Sequence, residues 1–236
     1  RDGGIWIGWA GNYKEENIDV EALLKEEDKD LNYRYKSVEI SLNNYELYYK
    51  GFSNEVLWPL FHNVSTYCNF AERYYKAYQK VNRKFAKKII DELMDDDFIW
   101  VHDYHLINTG RELKKKGVKN KMAFFLHIPF PPLETFIKMP WRLDMVKALL
   151  SYDLIGFQTQ IDKKNFLEVA KLLVKYDVMN QEELNITTIV TKHGEHKIGV
   201  FPISIDYYEF FNKANSEEVS KMAKEIKKRY SSQKII

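Results

Sequence analysis

Hydrophobic and polar positions recur along the chain with two different periods, which predict strands separated by helices. Short apolar runs are typical of buried strands, and they occupy residues 5–9, 37–42, 98–101, 122–126, 154–157, 187–191 and 197–201. In residues 71–94, apolar side chains recur at positions 74, 78, 81, 85, 89 and 93, with lysines and glutamates on the other side. This spacing predicts a long amphipathic helix.

Further helices are predicted over residues 108–116, 160–176 and 216–230, and residues 25–30 are read as a solvated helix or loop. Strands that alternate with helices of ten or more residues require right-handed crossovers, which cover a parallel sheet on both faces. We therefore predict an α/β fold of the doubly wound, Rossmann-like kind with a mostly parallel sheet. The chain starts close to its first strand and ends on an apolar run at 234–236, so we expect both ends to be cut.

Composition and charge narrow the class of protein. With 236 residues and 45% hydrophobic content, the chain can bury a sizeable core. The formal charge of +2 comes from scattered basic residues, and apolar runs of about 18 residues are absent, so neither nucleic acid nor a membrane is an expected partner. A single cysteine, Cys68, excludes an internal disulfide framework. We therefore expect a cytoplasmic protein.

Polar side chains follow two of the predicted strands at the point where each strand ends. His102, Asp103, Tyr104 and His105 come after the strand that ends at residue 101, and His127 comes after the strand that ends at residue 126. Ligands of open parallel sheets bind at the carboxyl ends of the strands. A separation of 25 residues between positions 102 and 127 fits one helical crossover. The two groups are therefore expected to share one site on neighbouring strands.

Two kinds of ligand fit such a site. Three histidines and an aspartate could hold a metal ion, as in a metal hydrolase, but the regular ligand spacing of a metal site is missing. A hydroxyl-rich ligand is the second possibility, because a carboxylate accepts hydrogen bonds from sugar hydroxyls beside an imidazole. Asp103 and His127 are the best candidates for that recognition. The prolines at 129, 131 and 132 predict a stiff loop after His127.

Six sequence blocks occur in an order and at spacings that resemble those of the trehalose-6-phosphate synthase family. They are "LWPLFH" at 57–62, "VNRKFA" at 81–86, "WVHDYHL" at 100–106, "FFLHIPFP" at 124–131, "LLSYDLIGFQT" at 149–159 and "VFPISID" at 200–206. The resemblance covers nearly the whole chain and is weakest over residues 11–35 and 177–195. Six ordered blocks are a far more specific signal than any one of them.

The resemblance implies a retaining glycosyltransferase of the GT-B type, in which two Rossmann-like domains face each other across a cleft. Its usual reaction passes glucose from UDP-glucose to the phosphorylated acceptor glucose 6-phosphate, with no metal and no cofactor. Residues 1–205 would be the N-terminal acceptor-side domain without its first βα unit, and residues 206–236 a linker and the beginning of the donor-binding domain. The residues that grip the donor diphosphate would lie outside the chain, so this fragment alone is expected to be inactive. A homo-oligomer is left open.

The resemblance also implies roles for individual residues. Asp103 matches the aspartate that binds and orients the acceptor sugar, and His127 matches the histidine near the transferred glucose of the donor. Trp9 matches a tryptophan beside the acceptor. In a front-face retaining mechanism the leaving phosphate takes the acceptor proton, so Asp103 and His127 would act by positioning and electrostatic stabilisation.

Two departures from the family pattern keep other functions open. Asn63 stands where the family has a tyrosine that contacts the acceptor phosphate region, and Tyr75 replaces a tryptophan. The blocks "FHNVSTY" and "MPWRLDM" resemble glucosylglycerol-phosphate synthases, whose acceptor is glycerol 3-phosphate. A non-catalytic homologue that binds sugar phosphate is a further alternative, although the presence of both Asp103 and His127 favours an enzyme.

Overall fold

The structure, a computed structural model, describes residues 3–16, 18–19, 21–23, 33–183, 185–192 and 194–231. Contacts between residues divide the chain into two compact units, Arg1–Phe201 and Pro202–Ile236. The predicted helix or loop at 25–30 and the predicted strand at 234–236 lie outside the described residues.

The first unit contains two sheets. Their strands are β1 (Ile5–Gly8), β2 (Arg34–Ser37), β3 (Ile99–His102), β4 (Met122–Phe125), β5 (Leu154–Phe157), β6 (Asp177–Glu183), β7 (Ile186–Thr191) and β8 (Gly194–Val200). In the described part of the chain, β1 and β2 form a parallel pair, and the other six strands form one sheet in the order β3-β4-β5-β8-β7-β6. The predicted α/β class with a mostly parallel sheet is confirmed, because β3, β4, β5 and β8 all run parallel.

An antiparallel extension of the sheet was not predicted. The strand β7 pairs antiparallel with both β8 and β6. The predicted segments 187–191 and 197–201 were correct as strands, but they are joined by a tight turn and not by a helical crossover. A connection this short allows only antiparallel pairing.

The predicted strand at 37–42 was placed too far along the chain. The strand β2 occupies Arg34–Ser37 and pairs with β1 from Ile5 opposite Arg34 to Gly8 opposite Ser37. The misplacement arose because Val38 and Ile40 are buried and alternate with polar residues, as in a strand. Extended pairing stops there because the Ser41 side chain accepts a hydrogen bond from the Asn44 amide and begins a helix.

The helices of the first unit connect and cover these strands. The long helix α1 covers Leu42–Asn44, Tyr45–Leu57 and Trp58–Phe61 in succession, and the others are α2 (Glu72–Glu92), α3 (Thr109–Lys115), α4 (Leu133–Phe136), α5 (Arg142–Leu149) and α6 (Gln160–Val174). The prediction of α2 from its apolar period is confirmed, because Tyr74, Tyr78, Val81 and Phe85 are buried. The bounds predicted for α3 and α6 are correct to within two residues.

Helix α1 was not predicted, and its middle has an unusual geometry. Tyr45–Leu57 form a π-helix. The Trp58 amide donates a hydrogen bond to the carbonyl of Ser53, five residues earlier. Long π-helical segments are rare, and π geometry is frequent at functional sites. Its wider turn also displaces the apolar positions from the 3.6-residue period, which explains why periodicity did not reveal the helix.

A continuous core of aromatic and aliphatic side chains joins the helices to the larger sheet. Phe52, Tyr78, Phe124, Tyr152 and Phe166 are among its largest fully buried members. Deep burial of each large side chain stabilises the fold by about 1.5–3 kcal/mol. This packing fixes the strand ends that carry the candidate site.

The second unit contains two amphipathic helices, α7 (Tyr207–Ala214) and α8 (Glu217–Arg229). Each begins at a side-chain cap, since Asp206 accepts from the Glu209 amide and Ser216 from the Val219 amide. The helix predicted at 216–230 is therefore confirmed. Among all helices that the structure describes, none combines the length and apolar content needed to cross a bilayer.

Candidate functional site

Asp103 and His127 come together at the carboxyl ends of two neighbouring strands. Strands β3 and β4 are parallel partners, with His102 opposite Phe125 in the register. The Asp103 amide donates to the Phe125 carbonyl at 2.8 Å, and Asp103 Oδ1 accepts from the His127 amide at 3.2 Å. The sequence prediction that the two groups lie on neighbouring strands is thus confirmed.

The backbone of Asp103 is held in a conformation that normally belongs to glycine. Its φ of 70° and ψ of 166° leave the regions that side chains favour. Such a conformation costs about 1–3 kcal/mol and is concentrated at functional sites. The strained backbone presents a half-buried carboxylate, and Oδ2 accepts no hydrogen bond within the residues that the structure describes. That oxygen is available to a ligand.

Backbone strain at residue 103 can be separated from the loss of the carboxylate by comparing two variants. Asp103→Ala and Asp103→Gly both remove the carboxylate, but only glycine relieves the strain. We expect the glycine variant to be more stable than the alanine variant by about 1 kcal/mol, after the entropic cost of glycine is subtracted. Urea unfolding of the 236-residue chain measures the difference. An alanine variant as stable as the glycine variant would contradict the strained assignment.

The imidazoles of His102 and His127 form a direct pair. His102 Nδ1 lies 3.0 Å from His127 Nε2, a hydrogen bond in which one ring donates and the other accepts. Burial lowers the pKa of His102, the positive charge of a protonated His127 lowers it further, and Asp103 acts in the opposite direction. A neutral His102 can therefore serve as the partner that orients the exposed His127 ring.

The lowered pKa of His102 predicts how stability depends on pH. Burial also lowers the pKa of His105, so the folded chain binds fewer protons than the unfolded chain below the unfolded histidine pKa of about 6.5. Their contribution to stability is complete above that pH and is lost as the pH falls from there through the lower pKa of the folded chain. We expect the free energy of unfolding to decrease from pH 7.5 to pH 5.5, and to decrease less in His102→Gln. An unchanged pH dependence in that variant, measured by urea unfolding, would count against a half-buried His102 whose pKa is lowered by burial.

The backbone of Tyr104 and His105 is hydrogen-bonded to side chains of two helices. The Tyr104 carbonyl accepts from the Tyr78 hydroxyl at 2.7 Å. The His105 carbonyl accepts from the Tyr48 hydroxyl at 3.2 Å and from Asn82 Nδ2 at 3.1 Å. Side chains of α1 and α2 thereby fix the backbone that follows Asp103.

A row of neighbouring aromatic rings connects Trp9 to this loop. The ring of Trp9 lies 5.2 Å from that of Tyr45, which stacks on Tyr49 at 5.3 Å and an interplanar angle of 13°. Tyr49 stacks in turn on His105 at 5.4 Å and 11°. The indole of Trp9 also donates to the Asn12 carbonyl at 2.6 Å, which orients it. Tyr45 and Tyr49 were missed as site candidates because the helix that carries them was not predicted.

Asn63 lies beside α4, the short helix that begins six residues after His127. Its φ of 62° is one that asparagine tolerates. Its side-chain carbonyl accepts a hydrogen bond from the Thr135 hydroxyl in α4. Tyr75, the other departure from the family pattern, is buried with its ring stacked on Trp141 at 4.8 Å. Asn63 is therefore the departure that remains on the surface.

The proline-containing loop after His127 is firmly held. The Phe130 amide donates to Asp162 at 2.8 Å, and Asn165 Nδ2 donates to the Phe130 carbonyl at 2.9 Å. Both partners lie in α6, and the ring of Phe130 is buried. Such anchoring reduces the freedom of the His127 backbone and preorganises the site.

The described residues contain no group of three or more histidine, cysteine, aspartate or glutamate side chains arranged to hold a metal ion. Neither of the two cavities described for the chain, with volumes of about 960 and 470 Å³, is lined by Asp103 or His127. The Asp103 carboxylate and the exposed His127 ring suit polar recognition of a hydroxyl-bearing ligand at the strand ends.

Comparisons with known proteins agree with this geometry. The model of glycosyltransferase family 20 matches residues 1–236. The chain is 35% identical over 230 residues to the trehalose-6-phosphate synthase of Citrobacter koseri, covering 94% of this chain and 45% of that protein. It is 35% identical over 224 residues to the bifunctional trehalose-6-phosphate synthase/phosphatase of Thermoproteus tenax, covering 93% of this chain and 29% of that protein.

Solved structures show the same similarity. The E. coli trehalose-6-phosphate structure bound with UDP-2-fluoro glucose superimposes with a TM-score of 0.81 at 34% identity, covering 95% of this chain and 48% of that one. The alpha,alpha-trehalose-phosphate synthase of Burkholderia xenovorans in complex with glucose-6-phosphate gives 0.78 at 32% identity, covering 86% of this chain and 44% of that one. The chain spans less than half the length of these relatives. It belongs to glycosyltransferase family 20.

Proposed function

We propose that this chain is the acceptor-side part of a retaining glycosyltransferase that moves glucose from UDP-glucose to glucose 6-phosphate and forms trehalose 6-phosphate. The observation that carries the proposal is the Asp103 carboxylate, which lies at a strand end on a strained backbone and accepts a hydrogen bond from the His127 amide. The relatives with bound UDP-2-fluoro glucose and with glucose-6-phosphate support the two substrate classes.

The geometry suggests how each side chain acts. Asp103 Oδ2 accepts a hydrogen bond from an acceptor hydroxyl and orients the attacking oxygen. His127, oriented by His102, donates to hydroxyls of the transferred glucose and stabilises positive charge that develops at its anomeric carbon. The bond from that carbon to the UDP oxygen breaks, the bond to the acceptor oxygen forms, and the leaving phosphate takes the acceptor proton. No metal or cofactor enters this reaction.

Trp9 and Asn63 complete the proposed acceptor side. An indole offers a flat apolar face to a sugar ring, and Trp9 is kept in place by Asn12 and by the rings of Tyr45 and Tyr49. Asn63 borders the acceptor phosphate region. The side-chain nitrogen of Asn63, Nδ2, has no partner among the described residues, so it can donate a hydrogen bond to a ligand.

The domain assignment follows from the same proposal. Residues 1–205 form the acceptor-side domain, and residues 206–236 form a linker and the beginning of the donor-binding domain. Because donor contacts then lie mainly outside this sequence, the 236-residue chain alone is inactive. Release of UDP from UDP-glucose and glucose 6-phosphate by this chain would contradict the assignment. The single half-buried Cys68 supports a cytoplasmic location.

Glycerol 3-phosphate is a second candidate acceptor, and Asn63 is the observation that favours it. The asparagine side chain has a shorter reach than the tyrosine of the family pattern. Its carbonyl oxygen, Oδ1, already accepts a hydrogen bond from the Thr135 hydroxyl. A non-catalytic sugar-phosphate binder would keep the acceptor site without turnover.

Parallel titrations test the acceptor side directly. Glucose 6-phosphate and glycerol 3-phosphate are each titrated into the chain and into Asp103→Asn, which keeps the side-chain shape but loses the charge. We expect glucose 6-phosphate to bind more tightly than glycerol 3-phosphate, and the variant to bind it at least several-fold more weakly. Tighter binding of glycerol 3-phosphate would establish the second candidate instead.

A further inference from the structure

The larger cavity, with a volume of about 960 Å³, lies at the opposite end of the strands from Asp103 and His127. Its wall includes Lys121, directly before β4, Asp153, directly before β5, and Gly194, the first residue of β8. These are the amino ends of three parallel strands. Lys121 and His127 are separated by six residues of extended chain, roughly 20 Å. The cavity is therefore distinct from the proposed acceptor site.

Basic side chains outnumber acidic ones in the cavity wall. Its charged members are Arg111, Lys114, Lys115, Lys121, Lys147 and Lys192, with Asp153 and Glu195 as the carboxylates. Three of the basic groups are neutralised by neighbours. Arg111 pairs with Asp144 at 3.1 Å, Lys115 with Glu112 at 2.6 Å and Lys121 with Asp153 at 3.3 Å.

Three lysines remain without a carboxylate. Within the described ranges, Lys114, Lys147 and Lys192 form no ion pair, although all three line the cavity. They come from α3, from α5 and from the turn between β7 and β8. Because different elements bring them to one concave surface, the excess positive charge is a property of the fold and not of one lysine-rich segment. Ammonium groups arranged in this way attract a multiply charged anion.

Part of the remaining wall is apolar. Leu143, Leu150 and Leu173 line the cavity beside the lysines. A volume of this size is typical of sites for small organic ligands, which combine an apolar lining with a few polar groups. The lining therefore fits a ligand with both a phosphate and a carbon skeleton.

Tyr152 connects the cavity to the loop that carries Asp103. It belongs to the cavity wall, but its side chain is fully buried. Its hydroxyl accepts from the Gly110 amide at 2.8 Å and lies 3.2 Å from the Leu106 carbonyl and 3.3 Å from the Ile107 carbonyl. One residue thus contacts both the cavity and the segment that begins three residues after Asp103.

We propose that this basic cavity is a second ligand site, which binds a small organic phosphate, and that Tyr152 transmits its occupancy to residues 106–110. The ligand's phosphate is held by Lys114, Lys147 and Lys192, and its carbon skeleton lies against the leucines. Binding at the amino ends of the strands then restrains the loop at their carboxyl ends. This inference does not depend on which acceptor the other site takes.

Inorganic pyrophosphate is a suitable probe for the charged part of the site. It is titrated calorimetrically at fixed ionic strength into the full chain, into Lys147→Gln/Lys192→Gln and into the control Lys76→Gln/Lys80→Gln. The control makes the same change in net charge on the surface of α2. We expect the dissociation constant to rise at least tenfold in the cavity variant and less than twofold in the control. Absence of binding, or equal effects of the two variants, would overturn the site.

Hydrogen exchange tests the link through Tyr152. Pyrophosphate is expected to slow amide exchange in residues 106–110 of the unmodified chain by severalfold. The Tyr152→Phe variant keeps the ring and loses only the hydroxyl, which is hydrogen-bonded to residues 106–110. It should bind pyrophosphate with unchanged affinity and show no change in exchange. Binding that leaves the exchange of residues 106–110 unaltered in the unmodified chain would overturn the link.

Discussion

Replacing Asp103 with alanine in a full-length enzyme that contains this chain is expected to lower kcat/KM by a hundredfold or more. In the proposed mechanism the carboxylate holds the acceptor hydroxyl in line with the anomeric carbon. Loss of a positioning contact of this kind costs about 2.7 kcal/mol of transition-state stabilisation for each hundredfold in rate. Initial rates of UDP release at varied acceptor concentration measure the effect. If Asp103 acts mainly in the transition state, kcat falls together with kcat/KM.

The matched control for this change is Asp96→Ala. Asp96 is an exposed aspartate before β3, at the other end of the strand that leads to Asp103. We expect its replacement to leave kcat/KM within about twofold, as for surface changes away from a site. A loss of less than about threefold in Asp103→Ala would remove Asp103 from the proposed mechanism.

The largest expected effect on stability comes from Gly110→Ala. A Cβ atom built at residue 110 would lie 2.5 Å from Cζ of Tyr152 and 2.6 Å from its Cε1. The ring of Tyr152 is fully buried and its hydroxyl is engaged by residues 106–110, so it has no room to withdraw. We expect the variant to lose about 3 kcal/mol of the free energy of unfolding through overpacking. Urea denaturation followed by circular dichroism measures the loss.

Gly4→Ala is the control for a glycine replacement. A Cβ atom at Gly4 would meet nothing within 4 Å. Its free energy of unfolding should therefore stay within about 0.5 kcal/mol of that of the unmodified chain. A Gly110→Ala variant that is as stable as the unmodified chain would show that the Tyr152 ring is not fixed in its buried position.

Much of the fold could be predicted because apolar residues form short runs in the buried strands and repeat regularly along the helix that buries one face. The four-residue strands β3, β4 and β5 are short apolar runs, and α2 repeats its apolar positions regularly. Helix α1 could not be predicted in this way, because its π-helical turns follow another period. The antiparallel pairing of β7 and β8 depends on the length of one turn, which apolar spacing does not report.

The candidate site also has features that the sequence predicts and features that it does not. Asp103 and His127 could be located from sequence because both follow apolar runs one crossover apart. The backbone strain of Asp103, the 3.0 Å contact of His102 with His127 and the row of rings from Trp9 to His105 depend on tertiary packing. Sequence separation contains no information about these orientations. The functional roles of the site residues stay predictions until activity is measured.

The measurement that tests the central claim most directly is UDP release from UDP-glucose by the full-length protein, with glucose 6-phosphate or glycerol 3-phosphate supplied in parallel. We predict rapid UDP release with glucose 6-phosphate, little with glycerol 3-phosphate, and at least a hundredfold loss in Asp103→Ala. Release with neither acceptor, or with glycerol 3-phosphate alone, would contradict the assignment of this chain to trehalose 6-phosphate synthesis.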